Sequence, residues 1–566
     1  MKRNGQFAGK YLIIVLLTLI LAAVAFFGIR SSYNYEDNPF AVLVKTSKNN
    51  QLIELYRNDI EDCYYMFLPS YADDSNARIR LLTTSPVYID EMKMSEGMNM
   101  ENIVFDHEYV LRVKDEQIGT VIFMHSDKIA SLFITTSKRD LSLLSYDKEL
   151  YDEGEISIID EDGNVEYSGE LESISGRGNQ SWSFDKKGWA IRLPREMSLL
   201  GMRSSDKWNL IANVCDDTDG LRNVAAHYLA AELDMEFVSE QRFVDLYINS
   251  LYYGTYQLVE KIEQKENKLD IGDMDMENLL ANRFIMDTET IERYTEYGDD
   301  GLPVWSYSMN IVSPEDISGG YIIERNYGYK LKEKEHLFST DRDEPFVVRY
   351  PSVVNEEELI YIRSVVQKVE DALFDEGYID PETSAGIWEL ADLDSFAKKF
   401  LVDEASKNSG AGVTSSYYYK KKGDDRLYAG PMWDFDKSFG NYHVWEDYNG
   451  LSLAKLHIDP ITYWYERIYE NPEARKLIEE YYTDTVRPCF EKLSESLIDE
   501  WAKEIKESYR MNEARWRYIT ENDPGYFDGL AVQYLSGLDE AKDYLKGWIR
   551  GREGYLDSIW ANEESE

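Results

Sequence analysis

The first pattern along the chain is an uncharged apolar run near the N-terminus. The segment YLIIVLLTLILAAVAFFG, from Tyr11 to Gly28, follows the basic residues Lys2, Arg3 and Lys10. A run close to the ~20 apolar residues that cross a bilayer, preceded by basic residues, predicts an uncleaved single-pass membrane anchor over residues 1–30, with the C-terminal domain extracytoplasmic. The small residues of AAVAFF leave a cleaved signal peptide as the alternative.

Alternating apolar and polar positions follow over residues 31–127. The runs ARIRLLTT, NIVFDHEYVLRV and GTVIFMHS have the period of two that is typical of strands. The run NNQLIELYRNDIEDCYYMF fits either strands or a helix. We therefore expect a small β-rich extracytoplasmic domain in this region.

The pattern over residues 128–566 changes from strands to helices. IASLFITTS and GEISIIDEDGNVEYSGELESIS read as strands, with a hairpin signal at EDGN, and residues 276–318 read as a polar, irregular insertion. From Glu356 onward, runs such as EEELIYIRSVVQKVEDALF have helical periodicity. A β-rich part followed by a helical part predicts an α+β fold rather than a doubly wound sheet.

The charge balance limits the partners of the chain. There are 61 Lys and Arg against 106 Asp and Glu, for a formal net charge of -45. No broad basic field exists to displace counterions, so nucleic acid is not expected as a partner. An anionic ligand would need a local cluster of cations or a metal. The three cysteines are too few and too widely spaced for a disulfide framework.

Two carboxylates stand in an apolar setting in the stretch GPMWDFDKSFGN. Asp434 and Asp436 flank Phe435. Either they bind a divalent cation, or they cap a helix or pair with Lys437 and the lysines of 420–422; the residues alone leave these alternatives open.

A second dense stretch is GRGNQSWSFDKKGWAIRL. Gly176, Gly178 and Asn179 form a tight turn beside Arg177. Such a turn next to basic residues suits a phosphate group, although by itself it also suits a plain turn. The basic residues that follow are Lys186, Lys187 and Arg192. Together, the two stretches suit a nucleotide with Mg²⁺ or Mn²⁺ bound between carboxylates and phosphates.

Five blocks of the sequence resemble the CotH (spore coat protein H) kinase-like family. They are GRGNQSWSFDKKGWAIRL, LLGMRSSDKWNLIANVCDDTDGLRN, VDLYINSLYYGTYQLVEKIE, GGYIIE and SSYYYKKKGDDRLYAGPMWDFDKSFGN, the last of which contains Asp434 and Asp436. The five blocks occur in the family's order over residues of about 130 to 560. The resemblance implies an atypical protein-kinase-like two-lobed domain over 128–566. It also implies ATP-dependent phosphorylation of Ser or Thr in envelope or spore-coat proteins of a bacterium.

The resemblance implies roles by position. Asp434 stands at the family's Mg²⁺-binding aspartate, and Asp436 assists it. Arg192 stands where many members have a phosphate-pairing lysine. The remaining residues that we assign to cofactor binding are Arg177, Asn179, Lys187, Glu260 and Lys261, with Glu263 beside the last two.

Two departures from the family pattern leave activity open. Gly410 stands where the family has the aspartate expected to act as base, and the nearest acids, Asp403 and Glu404, lie upstream. Arg192 replaces a lysine, and its planar fork does not mimic an ammonium. The readings are an active kinase, or a weak or inactive binding module of the cell surface that engages an envelope partner. A glycosidase with Asp434 and Asp436 as paired carboxylates is a third reading.

Overall fold

The computed structural model of the protein describes most of the chain. The predicted anchor, Tyr11 to Gly28, lies outside the described residues. Within the part of the chain that is described, no helix combines the length and apolar character needed to cross a membrane. The described residues are 38–46, 49–72, 78–83, 85–95, 97–98, 103–283, 291–332, 334–442, 447–453, 463–522 and 537–561.

The region before residue 128 forms strands, as its alternating pattern predicts. The run that fitted either a strand or a helix forms strands. Strands β1, β2 and β5 form one sheet in the order β2-β1-β5, and the others form a second sheet in the order β3-β4-β9-β8-β6-β7. The strands are β1 Ala41–Lys45, β2 Asn50–Glu54, β3 Tyr56–Asn58, β4 Cys63–Leu68, β5 Arg78–Leu82, β6 Val87–Ile89, β7 Met92–Met94, β8 Glu108–Val113 and β9 Glu116–His125.

A closed barrel follows, with the strand order β10-β11-β12-β13-β14-β16-β15. Neighbouring strands are antiparallel except β10 and β15, whose parallel pairing closes the barrel. Alternate residues such as Ile191, Trp208 and Leu258 point inward and form its core. The EDGN signal lies at the β11–β12 hairpin. The strands are β10 Ala130–Thr136, β11 Tyr151–Ile159, β12 Val165–Arg177, β13 Gly188–Met197, β14 Ser205–Ile211, β15 Gln241–Ile248 and β16 Leu251–Glu260; the helices here are α1 Ser142–Tyr146 and α2 Leu221–Glu232.

A seven-stranded antiparallel sheet follows the barrel in the chain, in the order β17-β18-β20-β21-β19-β22-β23. The prediction of an irregular insertion over 276–318 was wrong, because helix α3 and strands β17 and β18 lie there. Strand β17 is mostly polar and exposed, and β18 buries Ser306 and Ser308, so neither shows the apolar alternation that marks a strand. The elements are α3 Met274–Ala281, β17 Arg293–Tyr297, β18 Pro303–Ser308, β19 Tyr321–Arg325, β20 Leu337–Ser339, β21 Pro345–Tyr350, β22 Ser416–Lys420 and β23 Leu427–Ala429.

Helices dominate the chain from Glu356 onward, as predicted. Helix α4 begins with a capping box in which Asn355 accepts from the Glu358 amide while Glu358 accepts from the Asn355 amide. Single π turns join α8, α9 and α10. The helices are α4 Glu356–Phe374, α5 Ile387–Leu390, α6 Leu393–Ser406, α7 Tyr463–Glu470, α8 Pro472–Tyr481, α9 Arg487–Lys492, α10 Ile498–Asn522 and α11 Leu538–Leu556. The fold is thus α+β, β-rich with a helical C-terminal part.

The apolar cores connect these layers. The largest core joins α2, the seven-stranded sheet and the C-terminal helices. A second core joins the N-terminal sheets to the outer face of the barrel through Phe133, Tyr247 and Tyr252, and to α10 through Met511. The N-terminal sheets therefore pack on both the barrel and the helical part.

Candidate functional site

A cavity of about 630 Å³ lies where the barrel, helix α2, the seven-stranded sheet and the loop after β23 meet. The barrel supplies residues from the ends of β12, β14 and β16. Helix α2 supplies Asn223 and His227, and the sheet supplies Glu324 and Arg349. Residues separated by more than two hundred positions therefore share one concave surface, the usual form of a ligand site.

The lining of this cavity is cationic although the chain is strongly acidic. Three carboxylate residues, Glu324, Asp434 and Asp436, face seven Lys and Arg residues, which are Lys148, Arg177, Lys261, Lys330, Lys334, Arg349 and Lys437. This local excess of positive charge opposes the net charge of -45. An anion is therefore attracted to this cavity.

The loop from Gly430 to Asn441 places its two carboxylates by burying the residues around them. Phe435 and Phe439 are fully buried. The amide of Phe435 donates to Asn223 Oδ1 at 2.8 Å, and Asn441 Nδ2 donates to the carbonyl of Cys215 at 2.8 Å. The apolar residues anchor the loop, so the intervening carboxylates line the cavity.

Asp434 is exposed to the cavity and adopts a left-handed backbone with φ of 71°. Its Oδ2 accepts a hydrogen bond from Ser415 Oγ at 3.0 Å. Aspartate adopts this region more readily than most residues, and Asp62, Asp90 and Asp234 do so as well, so the backbone alone does not distinguish Asp434.

Asp436 is a carboxylate whose burial is only partly compensated by Lys437. Burial raises its pKa to about 7, and the charges of Asp434 and Asp216 add to the effect while Lys437 opposes it. Lys437 donates to Gln180 Oε1 at 2.7 Å, and Lys420 donates to the carbonyls of Ser318 and Lys421. None of the described residues from Gly430 to Asn441 is helical, so the structure shows no helix that either aspartate caps. The geometry therefore favours neither helix capping nor pairing with these lysines as the role of Asp434 and Asp436.

A divalent cation fits this carboxylate pair. Of the residues that the structure describes, no group of three or more His, Cys, Asp and Glu side chains is placed to hold a metal ion. Mg²⁺ commonly uses one or two carboxylates and completes its shell with water and substrate phosphates. Asp434 and Asp436 supply that minimal set, and the cationic lining suits the phosphates.

The predicted glycine turn forms one wall of the cavity. Arg177, at the end of β12, lies with its guanidinium 5.8 Å from the ring centroid of Trp433. Burial lowers the pKa of Arg177, while the charge of Asp434 opposes that effect. Gly178 has φ of 110°, and Asn179 beside it also lines the cavity. The turn, Arg177 and the carboxylates therefore lie together.

Lys261 also lines the cavity, directly after β16. Desolvation and then the charge of Lys207 lower its pKa. Glu260, one residue earlier, points away from the cavity and is fully buried, where it accepts from Arg203 Nη2 at 2.8 Å. Glu263 accepts from Lys268 Nζ at 2.8 Å. Of these predicted residues, the structure brings only Lys261 to the cavity.

Two of the predicted cations lie elsewhere. Arg192 is half-exposed on β13, with contacts of 3.4 Å to Glu172 and 3.5 Å to Asp206. Lys187 donates to the carbonyl of Trp182 at 2.6 Å and lies over that ring. Neither lines the cavity that holds Asp434.

The acids near the family's base position are committed to the core. Gly410 lines the cavity. Asp403, however, is buried and accepts from Asn408 and Tyr465, while Glu404 is buried and accepts from Arg552 at 2.6 Å. Neither carboxylate lines the cavity. Neither therefore takes the place of the aspartate expected at the position of Gly410.

Several lining residues carried no sequence signal. Lys330 lies in a 3₁₀ turn and donates to Thr414 Oγ1 at 3.0 Å, and Arg349 on β21 pairs with Glu324. Ser415, next to Asp434, lies in a stretch of small polar residues. Nothing in their local sequence distinguishes them from ordinary surface or sheet residues.

Comparison with known proteins gives one family. A family model described as CotH kinase protein matches residues 174–556, a range that contains all the lining residues named above except Lys148. A comparison with curated proteins finds no match.

Proposed function

Because the family model covers more than half of the chain, the chain belongs to the CotH kinase family, and from this we propose that it binds ATP with Mg²⁺ or Mn²⁺ in the described cavity. We propose further that it is an atypical protein kinase, which transfers the γ-phosphate to Ser or Thr residues of envelope or coat proteins.

One observation carries the proposal. In a chain of net charge -45, a single cavity collects seven cationic side chains and also holds two neighbouring carboxylates. A nucleotide with a divalent cation is a ligand that needs both kinds of group at once. Phosphoryl transfer depends mainly on positioning and on electrostatic stabilisation, which these residues can provide.

In this proposal, different residues of the cavity bind the metal ion and the phosphates. Asp434 and Asp436 would hold the divalent cation, which when bound neutralises phosphate charge. Arg177 and Lys261 would bind phosphate oxygens from the glycine turn and from the end of β16. Asn179 would orient the turn against the same ligand.

Titration calorimetry tests the proposal. Wild-type protein should bind ATP more tightly with Mg²⁺ than with EDTA, and Asp434→Asn should abolish that difference while leaving the melting temperature unchanged. Arg177→Met should weaken binding in both conditions by about tenfold, since charge-assisted hydrogen bonds contribute more than neutral ones. Arg192→Met is the matched control, because Arg192 lies outside the cavity. No binding to wild type at millimolar nucleotide would reject the proposal.

A second candidate, a weak or inactive binding module, is favoured by Gly410. No aspartate stands at this position, and Asp403 and Glu404 are tied to core partners. If only the base is missing, Gly410→Asp should raise phosphate transfer from labelled ATP to a Ser-rich acceptor such as casein. If nucleotide binds but neither protein transfers phosphate, the module is the better description.

We also propose that residues 11–28 anchor the protein in the cell membrane, with the remainder outside the cytoplasm. The basic residues before this run and its lack of charge support the orientation. Protease added to intact cells should digest the folded part. Protection in intact cells, but not in lysed ones, would contradict the anchor.

A further inference from the structure

On the cavity wall, three buried side chains carry polar atoms that have no hydrogen-bond partner among the residues that the structure describes. The atoms are Asn213 Oδ1, Gln257 Oε1 and His227 Nε2. Their side chains line the cavity, yet the residues are only 7%, 1% and 6% exposed, respectively. Buried polar groups are nearly always paired, so three in one cavity wall require an explanation.

All three atoms are acceptors. The amide nitrogen of Asn213 donates to the carbonyl of Asp219 at 2.9 Å, and that of Gln257 donates to the carbonyl of Gly220 at 3.2 Å. These bonds fix which end of each amide is nitrogen, and leave the oxygens for another partner.

The histidine is an acceptor for the same kind of reason. Nδ1 of His227 lies 2.7 Å from the carbonyl of Asn223, so Nδ1 carries the proton and donates. Nε2 then presents a lone pair. Burial lowers the pKa of His227, which keeps the ring neutral and Nε2 unprotonated.

The three acceptors are held in place by helix α2 and the turn before it. Gly220 precedes the helix with φ of 107°, and a Cβ there would lie 2.5 Å from Asn213 Nδ2 and 2.7 Å from Gln257 Oε1. The two amides therefore close around the turn. His227 lies one helical turn beyond Asn223, with its ring centroid 6.3 Å from that of Phe435.

This placement puts the acceptors beside the carboxylate loop. The carbonyl of Asn223 accepts the hydrogen bond from His227 Nδ1, and its side-chain Oδ1 accepts from the amide of Phe435, which lies between Asp434 and Asp436. The unpaired acceptors therefore lie near the loop that carries the two carboxylates.

We infer that Asn213, Gln257 and His227 form an acceptor wall that receives N–H or O–H donors of the bound metal–nucleotide complex. The inference rests on the proposed function. Two sources supply such donors: the amino group and hydroxyls of the nucleoside, or the water molecules that a Mg²⁺ ion retains. Either source satisfies acceptors that the protein itself leaves unpaired.

Two variants test the wall. Each removes one acceptor at similar side-chain volume, together with the donor that pairs with the carbonyl of Gly220 or of Asn223. Gln257→Met and His227→Phe should each weaken ATP binding by about 3- to 10-fold, the usual effect of one hydrogen bond. Gln117→Met, at an exposed amide of β9 outside the cavity, is the control and should bind like wild type. Melting temperatures identify a variant that fails to fold. In that case the ATP affinity of the other variant tests the inference.

The metal dependence separates the two sources. A loss of ATP affinity seen both with Mg²⁺ and with EDTA assigns the donors to the nucleoside. If the donor is the amino group of adenine, which ITP lacks, the variants and wild type should then bind ITP with equal affinity. A loss seen only with Mg²⁺ assigns them to metal-bound water. Unchanged affinity in both variants overturns the inference and leaves the proposed function intact. A wild type that binds no nucleotide overturns both.

Discussion

Gly176 shows how one absent side chain shapes the cavity wall. A Cβ at this position would lie 2.2 Å from the ring of Trp182 and 2.9 Å from the Cα of Lys148. Lys148 belongs to the backbone leading into β11, so it cannot simply rotate away. Glycine here lets the end of β12 approach both neighbours, and Arg177 is the next residue.

We expect Gly176→Ala to destabilise the protein by roughly 1–3 kcal/mol, the usual cost of overpacking. Because the clash displaces the turn that carries Arg177, ATP affinity should fall with it. Gly547→Ala is the control: nothing lies within 4 Å of a Cβ at Gly547 in helix α11, so alanine should be neutral or stabilising there. Equal melting temperatures for the two variants would contradict the role of Gly176.

The sequence predicted individual site residues unevenly, for a physical reason. Asp434 and Asp436 lie in a loop and Arg177 ends β12 beside a turn, where glycine and aromatic neighbours signal an unusual backbone. Arg192 lies between Ile191 and Leu193, whose side chains fill the barrel core. Alternation correctly puts Arg192 on the outer face, but it cannot say how far along the strand the cavity extends.

At the scale of elements, the carboxylate loop depends on helix α2 for its position. The only hydrogen bond that the described residues give to the Phe435 amide is the one to Asn223 Oδ1. This bond joins the helix to the Asp-Phe-Asp stretch, beside the ring contact of His227 with Phe435. Asn223 is therefore a positioning residue for both carboxylates.

Asn223→Ala should lower the affinity for Mg²⁺-ATP by about tenfold and leave the affinity for metal-free ATP nearly unchanged, because the carboxylates would lose their placement. Asn223→Asp keeps an acceptor oxygen and should restore most of the metal-dependent binding. Calorimetry with Mg²⁺ and with EDTA measures both. An equal loss in the two conditions would instead indicate a general structural effect.

Element types were easier to predict than element partners. Helices α4 and α6 have clear periodicity and caps, and the predicted helical part is confirmed. The sequence gives no sign that β22 and β23 return from the helical part to join β19 in one sheet. That pairing depends on contacts between distant segments, which local patterns do not encode.

At the scale of the whole molecule, Asp245 links the barrel to its neighbours. Its carboxylate on β15 accepts from Ser508 of helix α10 at 2.8 Å and from Tyr252 of β16 at 2.9 Å. Ser508 is in turn bonded to Ser126, which follows the N-terminal sheets. One buried acid therefore joins three parts of the molecule.

Burial raises the pKa of Asp245 to about 6 from an ordinary value of 3.8, opposed by hydrogen bonds from Ser126, Ser508 and Tyr252 and by the charge of Lys186. The folded protein therefore holds this proton more tightly than the unfolded chain does. Its contribution to stability is present at low pH and is lost as pH rises from about 4 to 6.

Asp245→Asn cannot ionise, so the variant should gain stability relative to wild type as pH rises. Melting temperatures at about pH 5 and pH 7.5 measure the difference, and the lower value stays above the sequence pI of about 4.5. Buried acids that do not interact with Asp245 titrate alike in both proteins and cancel in the comparison, whereas Asp219, whose pKa the charge of Asp245 raises, does not cancel completely. A constant difference between the two proteins across this range would contradict the prediction.

The parallel pairing of β10 with β15 has a consequence for the order in which the protein can be made. It joins Ala130 to Val244, more than a hundred residues apart in the chain. During synthesis, one edge of strand β10 stays unpaired until β15 has left the ribosome. Such long-range pairing also forms slowly. A chain halted before residue 241 would therefore carry an open, apolar strand, which invites association with other chains. Ribosome-bound fragments ending just before and just after β15 should differ sharply in resistance to protease.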